Sequence, residues 1–241
     1  MVWALTSRRY GRAGFILVAG LLLSACTSVR EPTLDAASGR PPPDALAHPP
    51  GLPDIGKWMY DARHEPAHWL GELHQGKSLR EPINILILDT VAQSADEARE
   101  RLQHQCAVAG YAIRGGHSTG YQGYIGGAFY EQLPEGKHTA FANQPFELGN
   151  DHGRLFGPLQ FRNAWLFLGA FSRESLDPLD RVKHRYVSFN RARDHFAQHL
   201  DTRTNFKISA FVNLDNALIN DAACTTGDHD GVAVLLSTSP R

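Results

Sequence analysis

Residues 83–88 read Ile-Asn-Ile-Leu-Ile-Leu, an almost continuous apolar run rich in Ile, and no other feature restricts the fold more. A strand wetted on one face alternates polar and apolar residues, whereas a run of this kind belongs to a strand buried within a sheet. The next signal is a helix start. Ser94-Ala95-Asp96-Glu97 is a capping box, in which Ser and Glu side chains satisfy backbone N–H groups that a helix start leaves open. Ala98, Leu102, Cys106 and Ala109 recur at helical spacing, and Gly110 suits the left-handed residue that closes a helix. Residues 111–114, Tyr-Ala-Ile-Arg, predict a second strand. Strand, amphipathic helix and strand make a βαβ-type unit or an α/β plait.

Strand signals dominate further on. Residues 154–161 and 164–171 are apolar runs joined by Arg162-Asn163, which predicts a hairpin. Pro158 lacks an N–H and places the first of these strands at an edge or a bulge. A short strand from His184 to Phe189 leads to a helix from Asn190 to about Leu200, with Ala192, Phe196 and Leu200 on one face. Two more strands are expected at 206–213 and 231–236. Residues 54–80 read as a short helix or an irregular flap, and the Gly- and Tyr-rich segment 115–127 as a flexible loop. The expected fold class is α/β (α+β): a βαβ-type unit, then mainly antiparallel strands and one late helix, in a single domain over 54–241.

The N-terminus speaks to location. Arg8, Arg9 and Arg12 precede the apolar run 15–23 and the small residues Ser24 and Ala25, the pattern of a secretory signal peptide over 1–25. Leu23-Ser24-Ala25-Cys26 resembles the lipobox of bacterial lipoproteins. That resemblance implies that Cys26 is lipidated and becomes the first residue of the mature chain. Thr27 and Ser28, where an Asp would favour the inner membrane, point to the outer membrane, with the domain facing the periplasm. An ordinary signal peptide that happens to precede a Cys is the alternative. Seven of the 14 prolines fall between Pro32 and Pro53, so 26–53 is expected to be an extended tether. The mature chain of about 216 residues carries a net charge of about −4, which excludes a basic nucleic-acid surface. Cys106 and Cys224 remain, either as a disulfide or as two separate buried thiols.

Several constellations carry candidate chemistry. Gly116-His117-Ser118-Thr119-Gly120 matches G-x-S-x-G, so Ser118 is a candidate nucleophile, provided that a helix follows it. His195 and His199 stand four apart on the late helix, the spacing of a two-His metal pair, without the Glu of the zinc-protease motif. His64 and His68 share the spacing, but Pro66 breaks the face. Asp228-His229-Asp230 offers a base or a ligand set, or simply a polar turn before a strand.

Three segments in order carry a family resemblance. They are Pro82-Ile83-Asn84 with its helix and Gly110-Tyr111; His152-Gly153-Arg154-Leu155-Phe156 followed by Trp165 and Gly169-Ala170; and His184 followed by Arg193-Asp194. Over about residues 80–236 these are similar to the LssY C-terminal domain family, with Tyr111 and Phe156 where that family usually has Trp. The family domain often accompanies a membrane phosphatase-like segment; none lies within these 241 residues, so that activity is not carried over. The resemblance singles out His152, Arg154, His184, Arg193 and Asp194. Such a set holds a phosphate or carboxylate through charge-assisted bonds, or serves as a paired structural network. The functional expectation is an envelope lipoprotein that binds an anionic ligand, a lipid head group or a protein partner. An ester or phosphoester hydrolase is the alternative. No metal and no cofactor is expected.

Overall fold

The computed structural model describes residues 39–177 and 184–238. The signal segment and Cys26 lie outside the described residues. The described part belongs to one compact α+β unit, as the sequence predicts. Its first elements are short: β1 (Leu46–Ala47), β2 (Ile55–Gly56), β3 (His68–His74) and β4 (Lys77–Arg80). Then come β5 (Ile85–Asp89), α1 (Ala95–Val108) and β6 (Ala112–Arg114). A hairpin of β7 (Gln122–Ile125) and β8 (Ala128–Leu133) precedes β9 (Ala140–Ala142). The long hairpin of β10 (Asn150–Phe161) and β11 (Ala164–Leu176) leads to β12 (His184–Ser188) and α2 (Phe189–Arg203). The chain closes with β13 (Phe206–Asn213), β14 (Cys224–Thr225) and β15 (Val232–Thr238).

One mixed sheet runs in the order β1-β2-β7-β8-β10-β11-β5-β15-β13, with β12 beside β11 and β9 beside β10. Every pair on this path is antiparallel except β5 with β15. Four antiparallel steps lead from β5 through β11, β10 and β9 to β6, so β5 and β6 run the same way with three strands between them. The expected βαβ unit is therefore split.

Both faces of the central strands are covered, which is why β5 has no alternation. On one face Ile85, Ile87, Phe167, Phe171 and Val234 pack against Leu102 and Cys106 of α1 and Phe196 and Leu200 of α2. On the other, Leu86, Phe156, Leu166 and Leu168 pack against Ile55, Met59, Ala67 and Ile125. Ser94 caps α1 by accepting a hydrogen bond from Glu97 N, and Ser188 caps α2 by accepting one from Arg191 N. Pro158 sits where the β10–β11 register shifts between Phe156 and Leu159, the bulge expected of it.

Four expectations require correction. Residues 45–47 are not part of an extended tether: Ala45, Leu46 and Ala47 are buried and β1 pairs with β2, because this apolar triplet gains more by packing than by extension; residues 26–38 lie outside the described residues. Residues 54–80 form β2, β3 and β4 rather than a helix or a flap, and residues 122–133 form a hairpin rather than a flexible loop. No disulfide joins Cys106 to Cys224. Cys106 is a buried thiol on the core side of α1, its pKa pushed up by burial, whereas Cys224 lies in a separate small sheet with Arg80 Nη2 at 3.6 Å.

Candidate functional site

Side-chain parity along β10 builds the site. Residues two apart in a strand share a face. Asn150, His152 and Arg154 stand opposite Glu174, Ser172 and Ala170 of β11. Their ladder faces away from the helices, as the packing of neighbouring Phe156 and Ala170 shows. Asp151, Leu155, Phe171 and Arg173 point the other way, toward α2. Gly153 allows the tight pairing on that side, since a Cβ there would come within 2.4 Å of the Phe171 ring.

The outward face would be a row of buried polar groups if nothing covered it. Two loops do. His117 and Ser118 come down from the segment between β6 and β7, and Phe146 from the segment between β9 and β10. Phe146 stacks on His184 with centroids 4.1 Å apart and meets His117 edge-on at 5.4 Å. Gly116 makes room for this: its φ is +94°, and a Cβ there would lie 2.7 Å from Phe146 Cβ.

The result is a closed polar chamber. His117, His152, Glu174, His184, Arg154 and Glu81 are all 6 % exposed or less. His117 and His152 lie with ring centroids 4.6 Å apart. His152 Nδ1 is 3.2 Å from Asn150 Oδ1 and 3.5 Å from Glu174 Oε1. Asn150 Nδ2 donates to Glu174 Oε1 at 3.0 Å. His184 Nδ1 comes to 2.9 Å of the same oxygen, but at an angle that misses a hydrogen bond. Arg154 Nη2 donates to the carbonyl and hydroxyl oxygens of Ser118 at 2.8 and 3.3 Å, and its guanidinium lies over the Tyr121 ring.

Three buried polar atoms of the chamber lack hydrogen-bond partners: His117 Nε2, His184 Nδ1 and Arg154 Nε. No carboxylate among the described residues forms an ion pair with Arg154, so a buried guanidinium makes only neutral contacts. Leaving buried polar groups unpaired costs about 1–3 kcal/mol each, and more when they are charged. Burial, with Arg154 and His184 adding, pushes His117 down to about 4. Burial, Arg154 and the two neighbouring imidazoles hold His152 well below its ordinary value. Burial raises Glu174 against the opposing pull of His184 and Asn150. Burial likewise drives Glu81 up to about 7, with Arg154 opposing and Glu174 adding. At neutral pH the two imidazoles His117 and His152 are therefore uncharged, with lone pairs to offer.

Of the five residues that the sequence singled out, His152, Arg154 and His184 meet here. Arg193 and Asp194 do not. Arg193 Nε donates to Asp194 at 2.7 Å, and its Nη1 donates to Asp230 at 2.6 Å and to Val232 O at 2.8 Å. That network ties α2 to the start of β15 and engages Nε and Nη1 of the guanidinium. Asp228 is likewise structural. Burial opposes its charge, but donors from Ser188, Tyr186 and Phe189 hold its carboxyl below the usual range at the start of α2. His229 Nε2 pairs with Asn216 Oδ1 at 2.8 Å.

The other constellations part company with their motifs. Ser118 is followed by β7 rather than a helix, so the nucleophile-elbow context is absent; its hydroxyl is engaged by Tyr121 and Arg154. His195 Nδ1 is 2.5 Å from buried Asp151, which also takes two bonds from Arg173, while His199 Nδ1 faces Ala109 O at 3.0 Å. The i, i+4 pair thus reads two different partners. His64 stacks on Phe129, and His68 of β3 pairs with Ser78 of β4, so no helix joins them.

Glu174, Glu81 and the role of His117 escaped the sequence reading. His117 stood inside the motif that drew attention to Ser118. Glu174 was recoverable in principle: carrying the hairpin register back from Arg162-Asn163 through a one-residue bulge sets it opposite Asn150. No protein-family model matches this chain, and no curated protein or solved structure matches it either.

Proposed function

We propose that this chain is an envelope lipoprotein, anchored through Cys26, whose α+β domain binds a small anionic group, a phosphate or carboxylate, beside Arg154. One observation carries the reading: Arg154 is a buried guanidinium with an unsatisfied Nε and no carboxylate partner among the described residues. An anion brought to that fork supplies the charge-assisted bonds that the protein leaves open. The order of the matched segments supports relating the domain to the LssY C-terminal domain family. The hydrolase alternative gains no support from Ser118, which lacks the helix that its motif requires.

A charge-assisted bond of about 1.5–3 kcal/mol corresponds to about tenfold or more in affinity. Calorimetric titration of inorganic phosphate and acetate should therefore show binding that Arg154→Met weakens by at least about tenfold. Equal affinity in both proteins rules out the Arg154 reading. Radiolabelled palmitate should enter wild type and not Cys26→Ser; equal labelling removes the anchor.

A further inference from the structure

Three of the chamber residues form a set of a different kind. One ligand-capable atom from each of His117, His152 and Glu174 lies within 4.8 Å of the other two. All three residues are buried, at 3, 4 and 3 % exposure. His117 Nε2 has no hydrogen-bond partner, an unusual condition for an imidazole nitrogen shut away from water. We propose that His117, His152 and Glu174 bind a divalent transition-metal ion, with zinc the fitting probe, and that the anion taken up beside Arg154 completes its coordination.

Size comes first. Two ligands of one ion are at most twice the metal–ligand distance apart, about 4.2 Å for nitrogen and oxygen donors. In a tetrahedral site the ligand atoms lie about 3.4 Å apart, so a pair at the 4.8 Å limit would close by about 1.4 Å, which rotation of the three side chains has to supply. Donor chemistry agrees. Two imidazoles and a carboxylate are a set that zinc and its neighbours accept, and three protein ligands leave a position open. Metal ligands must be deprotonated to bind, and His117 Nε2, which no hydrogen bond engages, is a nitrogen open to an ion.

The surroundings orient the trio as the partners of metal ligands do. Asn150 donates to Glu174 Oε1 and also meets His152 Nδ1, while Ser172 Oγ is 3.4 Å from His152 Nε2. His184 Nδ1 lies 2.9 Å from the same carboxylate oxygen. An ion here would also resolve an electrostatic oddity. Glu174 and Glu81 are two buried carboxylates, and Glu174 adds to the upward shift of Glu81. A divalent cation offsets that repulsion, while Arg154 holds the far side of a bridging anion.

The metal half of this inference stands on the three ligands alone; the anion half rests on the function proposed above. The experiment keeps them apart. The full chain, purified in detergent and stripped with a chelator, is titrated with Zn²⁺ and Co²⁺ by calorimetry, visible absorption and elemental analysis. We expect one ion per chain and the intense visible bands of low-coordinate Co²⁺. His117→Gln and Glu174→Gln should each weaken binding by about tenfold or more, while His104→Ala on the exposed face of α1 leaves it unchanged. X-ray absorption of the wild-type zinc complex, which needs no variant to fold, should show two imidazoles and oxygen donors without sulfur. Absence of stoichiometric binding overturns the metal site, as does a sulfur shell or undiminished affinity in both variants. Inorganic phosphate is then titrated into stripped and zinc-loaded protein. Arg154-dependent phosphate binding without any metal binding sinks this inference and leaves the function standing. Metal binding without phosphate binding in either form does the reverse.

Discussion

Replacing Glu81 by Gln should change how stability depends on pH. Glu81 is 4 % exposed, and its carboxyl is displaced from an ordinary value near 4.5 to about 7, chiefly by burial, with Arg154 opposing and Glu174 adding. The folded protein thus holds this proton more tightly than the unfolded chain does. Below pH 4.5 the group is protonated in both states and costs nothing. As pH rises through 4.5 the unfolded chain sheds the proton, and the folded one keeps it until about 7, so stability falls across that window. The full displacement corresponds to about 3 kcal/mol, and about 2 to 3 kcal/mol of it falls between roughly pH 5 and 8. Gln has nearly the same shape and no proton to lose. Urea denaturation of metal-free wild type and Glu81→Gln at those two pH values should show the variant gaining on wild type by that amount. His117 and His152 act in the opposite direction, being held neutral, but they do so in both proteins and cancel in the comparison. A difference that stays flat with pH, or shrinks as pH rises, would refute the idea that Glu81 is buried as an acid.

Two further outcomes follow from the packing. Phe196 is wholly buried, stacks on Phe171 at 3.9 Å and meets Tyr111 edge-on, so Phe196→Ala should cost about 3–5 kcal/mol, read by thermal or urea unfolding; a loss under about 1 kcal/mol would show that α2 does not close the core. Cys106 should resist thiol reagents in the native chain and react fully once unfolded, and non-reducing peptide mapping should find no Cys106–Cys224 crosslink.

The strongly periodic parts of the chain were legible. The Ser94 cap, the stripe through Leu102 and Cys106, and the strand at 206–213 are local signals, and packing agrees with them. What escaped depends on partners distant in sequence. Residues 122–133 carry too many Gly and Tyr to look like strands, yet Gly123 is needed because a Cβ there would strike the Phe156 ring at 2.6 Å. Leu46 and Ala47 read as spacer among prolines and become sheet once Gly56 and Ile55 pair with them. The site followed the same rule. His152 and Arg154 stood out because they lie in the segments that carry the family resemblance. Glu174 and Glu81 look like surface acids until the fold buries them. Arg193 was singled out by the same resemblance, and its sequence does not tell a clamp on Asp230 from a clamp on a ligand.

Asp151 and His152 are chain neighbours that serve opposite sides of the sheet, one gripping His195 on α2 and the other lining the chamber. Because side chains alternate strictly, deleting one residue at the start of β10 would turn this arrangement inside out: the carboxylate that takes up Arg173 would enter the chamber, and an imidazole would face α2. Length changes in this stretch are therefore tolerable only where parity can be restored, in the exposed residues 147–149 or at the bulge beside Pro158. The first strand of the long hairpin acts as a reading frame for the whole domain, and among proteins that share this architecture its length should vary least.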